Sequence, residues 1–198
     1  MVQTSAQALT LEAFLQLPET KPASEFINQE IVQKPMPQGE HSTLQSELIS
    51  RINAASQPQK IAYAFPELRC VFGGAVLVPD VCVFRWPRIP RTSSGRVANS
   101  FESYPDWAIE ILSPEQSQTK PLETLLHCVE HGTELGWLLD PSADSVLTLS
   151  SDARLKLHKG EKAMPVLSDL NLSLSTVDTF GWLSERDARK RCKVSQHT

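Results

Sequence analysis

Two acidic residues, Asp80 and Glu110, lie within strongly apolar stretches of the sequence. Asp80 belongs to the run AVLVPDVCVF, and Glu110 belongs to the run DWAIEIL. Strand alternation places each carboxylate on a face that it shares with apolar side chains. An ionised carboxylate in such surroundings costs several kcal/mol unless a cation or hydrogen-bond donors compensate for the lost water. We therefore predict that the two acids share a cation.

The chemistry of the predicted site favours a divalent metal. Carboxylate oxygens are hard ligands that suit Mg²⁺ or Mn²⁺, and these ions also take waters and substrate phosphate oxygens. The alternative is that each acid lies at a strand end and reaches water, or pairs with Arg69 or Arg85. That alternative is reasonable for one acid alone, whereas two such acids in one small domain favour the shared metal.

The elements that must position these acids are visible in the hydrophobic pattern. A helix is predicted over residues 41–56, with His41 at the start of its inward face. Residues 61–84 give the clearest strand signal, and Gly73-Gly74 can supply the positive φ of a hairpin turn. Residues 106–112 form a strand that is almost continuously apolar, which is typical of the centre of a sheet.

A βαβ unit follows from the next segments. A helix beginning at Pro121 and a strand over residues 135–139 follow the Glu110 strand, an order that favours a parallel pair. The pattern also predicts a short capped helix at residues 10–17, before Pro18, and a strand pair around Asn28-Gln29 at residues 25–35. Edge strands are predicted at 146–149 and 154–158, and a last helix at 176–194. The predicted fold class is α/β, a hairpin-rich mixed β-sheet with flanking helices.

The length and composition limit the function classes. The chain has 198 residues and 40% hydrophobic residues, which fits one domain with small appendages. Its apolar runs are too short to span a bilayer, and its start has no signal-peptide pattern, so we expect a cytoplasmic protein without a membrane partner. The cysteines form no CxxC pair and are predicted to be reduced, structural thiols: Cys70, Cys82, Cys128 and Cys192.

The net charge of -4 argues against a protein that coats nucleic acid by bulk electrostatics. A local cationic surface is still available, because Arg85, Arg88 and Arg91 lie in a segment rich in proline, arginine and serine. That segment, residues 85–104, is predicted to be a long exposed loop, and loops of this length are usually functional or mobile.

The order of these pieces resembles the PD-(D/E)XK nuclease superfamily and, more narrowly, the bacterial Uma-two-type restriction endonucleases. The resemblance runs from Leu9 to Leu183. Its most specific segments are KPMP followed by His41, Pro79-Asp80-Val81, PDWAIEILSP from Pro105 and GWLLDP from Gly136. It implies a restriction-endonuclease-like domain over residues 23–183, between an N-terminal helix and linker at 1–22 and a basic tail at 184–198.

The resemblance implies metal-dependent hydrolysis of a phosphodiester in nucleic acid, expected to be DNA. Asp80 and Glu110 would bind Mg²⁺ or Mn²⁺, His41 would act near the scissile phosphate, and Arg85, Arg88 and Arg91 would grip phosphates. A homodimer is compatible with this interpretation.

The superfamily also places a lysine beside the metal, two residues after the second acid. That position is Leu112 here, and the commonest shifted position, on the following helix, is Thr124. Lys120 lies four residues before Thr124 on the same helical face, so the resemblance implies Lys120 as the catalytic lysine. The alternative is an ordinary solvated lysine at a helix start.

Two other functions stay open from the sequence. Leu112, Thr124 and the acidic net charge are compatible with an inactive nuclease fold that binds nucleic acid or another protein. A carboxylate-pair hydrolase such as a glycosidase needs an open cleft with aromatic platforms, for which Trp86 and Trp107 are the available residues.

Overall fold

The structure, a computed structural model, describes residues 9–184. Two β-sheets and four α-helices occur within this range. The first helix, α1 (Leu11–Leu15), is capped by the Thr10 hydroxyl, which accepts a hydrogen bond from the Ala13 N–H. Along these residues no helix is long and apolar enough to cross a membrane. The predicted basic tail lies outside the described residues except for Ser184. The predicted final helix is helical over Thr176–Gly181 only, residues 182–184 are not helical, and its remainder lies outside the described residues.

The smaller sheet has four antiparallel strands in the order β2-β1-β5-β4. The predicted strand pair around Asn28-Gln29 forms two of them, and the predicted Gly73-Gly74 hairpin forms the others, with φ of 58° and 75° at the two glycines. The strands are β1 (Ser24–Ile27), β2 (Glu30–Gln33), β4 (Cys70–Phe72) and β5 (Ala75–Leu77).

The larger sheet has six strands in the order β10-β9-β8-β7-β6-β3. Its strands are β3 (Ala62–Pro66), β6 (Val81–Arg85), β7 (Trp107–Ile111), β8 (Leu135–Asp140), β9 (Ser145–Ser150) and β10 (Leu155–His158). The predicted βαβ unit is confirmed, because β7 and β8 are parallel and α3 (Thr119–Glu130) connects them. The sheet is therefore mixed, with β7 near its centre.

Three details differ from the sequence prediction. The run AVLVPDVCVF is not one strand, because Pro79 has no N–H for a sheet ladder and separates β5 from β6, which join different sheets. The strand β9 is not at an edge, since β10 pairs with its outer side. The segment 85–104 is not simply an exposed loop, because Ile89 and Phe101 are buried against Phe84.

The helices cover the two faces of the larger sheet. The long helix α2 (Gly39–Ser56) contributes Leu44, Leu48 and Ile52 to the main core, together with α4 (Thr176–Gly181). The opposite face packs on α3 and on the smaller sheet through a second cluster. All five residues of β7 are buried, so Glu110 lies between these two layers of apolar side chains.

One polar side chain of α2, Asn53, hydrogen-bonds the backbone of the edge strand β3. Asn53 Oδ1 accepts a hydrogen bond from the Ala64 N–H at 2.7 Å, and Asn53 Nδ2 donates to the Ala64 carbonyl at 3.1 Å. Ala64 is fully buried. The Asn53 side chain therefore satisfies the backbone groups that β3 turns away from the sheet.

We expect Asn53→Ala to lower the free energy of unfolding by about 1 to 3 kcal/mol, because the buried N–H and carbonyl of Ala64 lose their partners. Urea unfolding of the variant and the wild type measures this difference. Asn171→Ala, at an exposed position, is the matched control and should change stability by less than about 0.5 kcal/mol. Equal stability of the two variants would contradict the assignment.

Candidate active site

The register of two central strands brings Asp80 and Glu110 together. In the antiparallel pair of β6 and β7, Val81 lies opposite Ile109 and Cys82 lies opposite Ala108. One step further, Asp80 faces Glu110 on the side of the sheet that packs on α3. The two acids are only 2% and 3% exposed. The two carboxyl groups are therefore close together, as predicted, although thirty residues separate them in the chain.

A lysine side chain lies between the two acids. Lys34 Nζ is 2.7 Å from Asp80 Oδ1 and 3.0 Å from Glu110 Oε2. It also donates to the Val78 carbonyl at 2.9 Å, so its three N–H donors all have partners. Burial disfavours the ammonium, but the negative charge of Asp80, Glu110 and Glu25 outweighs that effect and raises the pKa of Lys34 well above its ordinary value.

Asp80 is held from several directions. Its Oδ2 accepts a hydrogen bond from the Ile111 N–H at 2.8 Å and lies 3.0 Å from His41 Nε2, and its backbone carbonyl accepts one from Gln45 Nε2. Burial alone would raise the pKa of Asp80, but the Lys34 charge and the His41 hydrogen bond together lower it well below its usual range. The first turn of α2 thus brings His41 to the site, as the sequence predicted.

Glu110 is less fully satisfied than Asp80. Its Oε2 accepts from Lys34, while its buried Oε1 has no hydrogen-bond partner among the described residues. Burial raises the pKa of Glu110 well above its ordinary value, and the attraction of Lys34 offsets only part of this effect. A buried carboxyl oxygen with a free lone pair is a ready ligand for a cation that enters the site.

Sequence reasoning missed Lys34 and Glu25. Lys34 follows β2, where its N–H donates to the Ala23 carbonyl. Glu25, in β1, is 5% exposed and accepts a hydrogen bond from the Val78 N–H at 2.6 Å, and burial raises the pKa of its carboxyl group. The argument that singled out Asp80, an acid within an apolar strand, applies equally to Glu25 beside Phe26. Lys34 had a weaker signal, its place in the KPMP segment.

The acid pair opens onto a cavity of about 370 Å³. Its lining includes Lys34, His41, Asp80, Glu110 and Gln116, and it includes no phenylalanine, tyrosine or tryptophan. Trp107 is fully buried in the core, where it packs edge-on against Trp137. The described site therefore lacks the aromatic platforms that a glycosidase needs.

Comparison with known proteins identifies the family. The sequence profile of the Uma2 family, whose description is "Putative restriction endonuclease", matches residues 11–176. This chain belongs to the Uma2 family. The crystal structure of "a putative nuclease belonging to DUF820" from Anabaena variabilis ATCC 29413 is 51% identical in sequence and has a TM-score of 0.87, covering 89% of this chain and 99% of that chain. No curated protein matches the chain significantly.

Membership of the Uma2 family confirms the resemblance and the restriction-endonuclease-like fold that the sequence predicted. Nucleases of this fold generally use divalent metal ions. Among residues 9–184, no group of three or more histidine, cysteine or acidic side chains is arranged to enclose a metal. This is compatible with Mg²⁺, which proteins often hold through one or two carboxylates while water and substrate phosphate supply the other ligands.

The lysine that the resemblance implied lies elsewhere on this Uma2 protein. Lys120 is at the solvent-exposed start of α3, where its Nζ is 3.1 Å from Glu123 Oε2 and 3.4 Å from Glu30 Oε2. It forms no ion pair with Asp80 or Glu110 in the described structure. The geometry therefore does not bring Lys120 to the acid pair, which Lys34 contacts instead.

The three predicted phosphate-binding arginines have different surroundings. Arg85 forms ion pairs with Glu134 at 2.8 Å and Asp169 at 3.0 Å. Arg88 pairs with Asp106 Oδ1 at 2.6 Å and lies over the Tyr104 ring. Arg91 is exposed, lies over the Trp86 ring at 5.2 Å, and has no carboxylate partner among the described residues. Two of the three arginines are thus paired with carboxylates of the chain, whereas Arg91 contacts the Trp86 ring and the Gly95 carbonyl.

We expect Arg88→Ala to lower the free energy of unfolding by about 1 to 3 kcal/mol, because Asp106 is buried and loses its charged partner. Arg91→Ala, the matched control in the same segment, should change stability by less than about 0.5 kcal/mol. Thermal and urea unfolding of both variants measures the difference. A similar small effect of both changes would show that the Arg88 contact contributes little to folding.

Proposed function

We propose that this protein is a divalent-metal-dependent endonuclease that hydrolyses phosphodiester bonds in DNA, with Asp80 and Glu110 as the ligands of Mg²⁺ or Mn²⁺. One observation carries the proposal: Asp80 Oδ1 and Glu110 Oε2 converge on the same cationic nitrogen at the edge of a cavity. The description of the Uma2 family, "Putative restriction endonuclease", supports DNA as the substrate.

The donor set fits a divalent cation. Both acids offer hard oxygen ligands, and Glu110 Oε1 is buried without a hydrogen-bond partner among the described residues. The ammonium of Lys34, which lies between the acids, would have to move aside for the metal. A metal would bind with loss of the Glu110 proton, and the resulting pair of buried carboxylates would attract it strongly, because little solvent screens them. When bound, such an ion supplies a water of lowered pKa and offsets the charge that develops on the phosphate.

The surrounding residues of the chain have separate tasks. The Ile111 N–H and Gln45 hold Asp80 in position, through its carboxylate and its backbone carbonyl respectively. His41 donates to Asp80 and also lines the cavity, which places it near a phosphate bound there. A second cavity, of about 570 Å³, shares His41 and Gln116 with the first and is available to a neighbouring nucleotide.

A non-catalytic nuclease fold is the second candidate, and a specific observation favours it. The superfamily's lysine positions hold Leu112 and Thr124, which are 5% and 3% exposed and pack inside the protein. The same cavity would then bind nucleic acid without turnover. Cleavage assays with Mg²⁺ and Mn²⁺ separate the two candidates, because only the enzyme yields product.

We expect Asp80→Asn to weaken Mn²⁺ binding by about 100-fold or more and to abolish Mg²⁺-dependent DNA cleavage, because even outer partners of metal ligands contribute 10- to 100-fold. The amide keeps an acceptor for the Ile111 N–H, so folding should persist. Calorimetric titration of Mn²⁺ and cleavage of supercoiled plasmid measure the two effects. Asp144→Asn, at an exposed turn, is the control, and equal affinity in both variants would exclude Asp80 as a ligand.

We expect the affinity for DNA to fall steeply with salt and Arg91→Ala to reduce that dependence, because each phosphate contact releases counterions and contributes about 0.9 to the logarithmic slope. Arg85 and Arg88 are less suited to this contact, since acids within the chain already bind them. Fluorescence anisotropy over a range of salt concentrations measures the slope. An unchanged slope in Arg91→Ala would remove Arg91 from the DNA-binding surface.

A further inference from the structure

Hydrolysis of a phosphodiester benefits from a fixed positive charge beside the reacting phosphate, and the source of that charge in this chain is unassigned. Leu112 belongs to the apolar cluster beneath the smaller sheet, and Thr124 is buried in the same helix that supplies Leu125 to that cluster. The ammonium of Lys120 is held by Glu123 and Glu30 on the surface. The two positions where the superfamily has its lysine therefore carry no charge.

Lys34, which follows a strand of the smaller sheet, brings an ammonium to Asp80 and Glu110. Its backbone is fixed by the hydrogen bond to Ala23 and by Pro35, which follows it and restricts the chain. Its side chain is 15% exposed and lines the cavity, while its Nζ contacts both acids. One end of the side chain is thus anchored in the fold, and the charged end lies between two acids that line the same cavity.

We propose that Lys34 is the catalytic lysine of this enzyme. This inference rests on the proposed nuclease function and deepens it, because it names the residue that supplies the positive charge. The role depends on where the nitrogen lies rather than on which element carries it, and Lys34 Nζ is the ammonium that the described structure places against Asp80 and Glu110.

The reaction assigns Lys34 a defined task. The oxygen of a water molecule forms a bond to phosphorus, the bond from phosphorus to one ester oxygen breaks, and that oxygen leaves with a proton. The reaction involves no oxidation or reduction, and the attacking water provides the proton that the leaving oxygen takes. Lys34 stays charged throughout. Its N–H groups contact Asp80, Glu110 and the Val78 carbonyl in the described structure. Once a metal binds the two acids, N–H groups released from the carboxylates would donate to the attacking water and to a non-bridging phosphate oxygen, where negative charge accumulates.

A purely structural role for Lys34 would have a different signature. In that case the ammonium only neutralises Asp80 and Glu110, and a protein loaded with metal would no longer need it. The catalytic role requires the ammonium also when metal is bound. The rate at saturating metal therefore separates the two roles, and the metal affinity reports independently whether Lys34 occupies the space between the acids.

The test compares Lys34→Met, Lys34→Arg and Lys120→Met with the control Lys156→Met, an exposed lysine on β10. We expect Lys34→Met to cleave plasmid DNA about 100-fold more slowly at saturating Mn²⁺, a typical loss for one transition-state donor. It should also bind Mn²⁺ with a lower Kd, because a competing positive charge is gone. Lys34→Arg should recover part of the rate, and circular dichroism should show that all four variants are folded.

The possible failures are distinguishable. Cleavage by Lys34→Met at the wild-type rate under saturating Mn²⁺ would overturn the inference alone. The same would follow if Lys120→Met lost cleavage while Lys34→Met kept it. Absence of cleavage by the wild type with either metal would overturn the proposed function and the catalytic role of Lys34 with it.

Discussion

The ammonium group of Lys34 compensates for carboxyl groups that the two sheets bury between them. Asp80 and Glu110 lie in the larger sheet or at its end, Glu25 lies in the smaller one, and all three are at most 5% exposed. Desolvation of these groups in their ionised form opposes folding, and the attraction to Lys34 offsets part of that cost. The contacts of Lys34 with Asp80, Glu110 and Val78 also join β2 to the ends of β5 and β7. Electrostatics and sheet packing therefore stabilise the same junction.

Asp80 is the point at which the other elements meet. Its carboxylate contacts Lys34, His41 and the Ile111 N–H, and its backbone carbonyl accepts from Gln45 and from the Glu67 N–H. These partners belong to the end of β2, to α2, to β7 and to the turn after β3. Pro79 makes the arrangement possible, because it ends β5 and allows the chain to pass from the smaller sheet to the larger one at this residue.

The sequence predicted the features that local patterns encode. The helical spacing of Leu44, Leu48 and Ile52, the two glycines of the β4–β5 hairpin and the buried run of β7 all correspond to observed elements. The proximity of Asp80 and Glu110 was also predictable, because a charge within an apolar strand needs a partner wherever it occurs. Family membership and the restriction-endonuclease-like fold followed from the same segments.

Ion pairs between residues that are far apart in the sequence were not predictable in this way. Lys34 is 46 residues from Asp80 and 76 from Glu110, and its sequence surroundings contain no apolar run that would mark it as buried. Arg88 appeared to be a loop residue available to phosphates, yet it pairs with Asp106 at the start of β7. Hydrophobic periodicity specifies which face of an element is buried, whereas the identity of an ionic partner depends on how distant elements pack.

The position of Lys34 is also relevant to how a nuclease site can obtain its lysine from a different element of the fold. Leu112 contributes an apolar side chain to the cluster that joins β7, α3 and the smaller sheet, so a lysine there would put a charge into that contact. Lys34, at the end of β2, reaches the same carboxylates from the smaller sheet and lines the cavity beside them. An ammonium delivered from β2 leaves the apolar cluster intact and still reaches both acids. Leucine and threonine at the usual lysine positions are therefore not sufficient grounds to regard a member of this family as inactive. What the reaction requires is an ammonium beside the two acids, and a lysine elsewhere in the sequence can supply it.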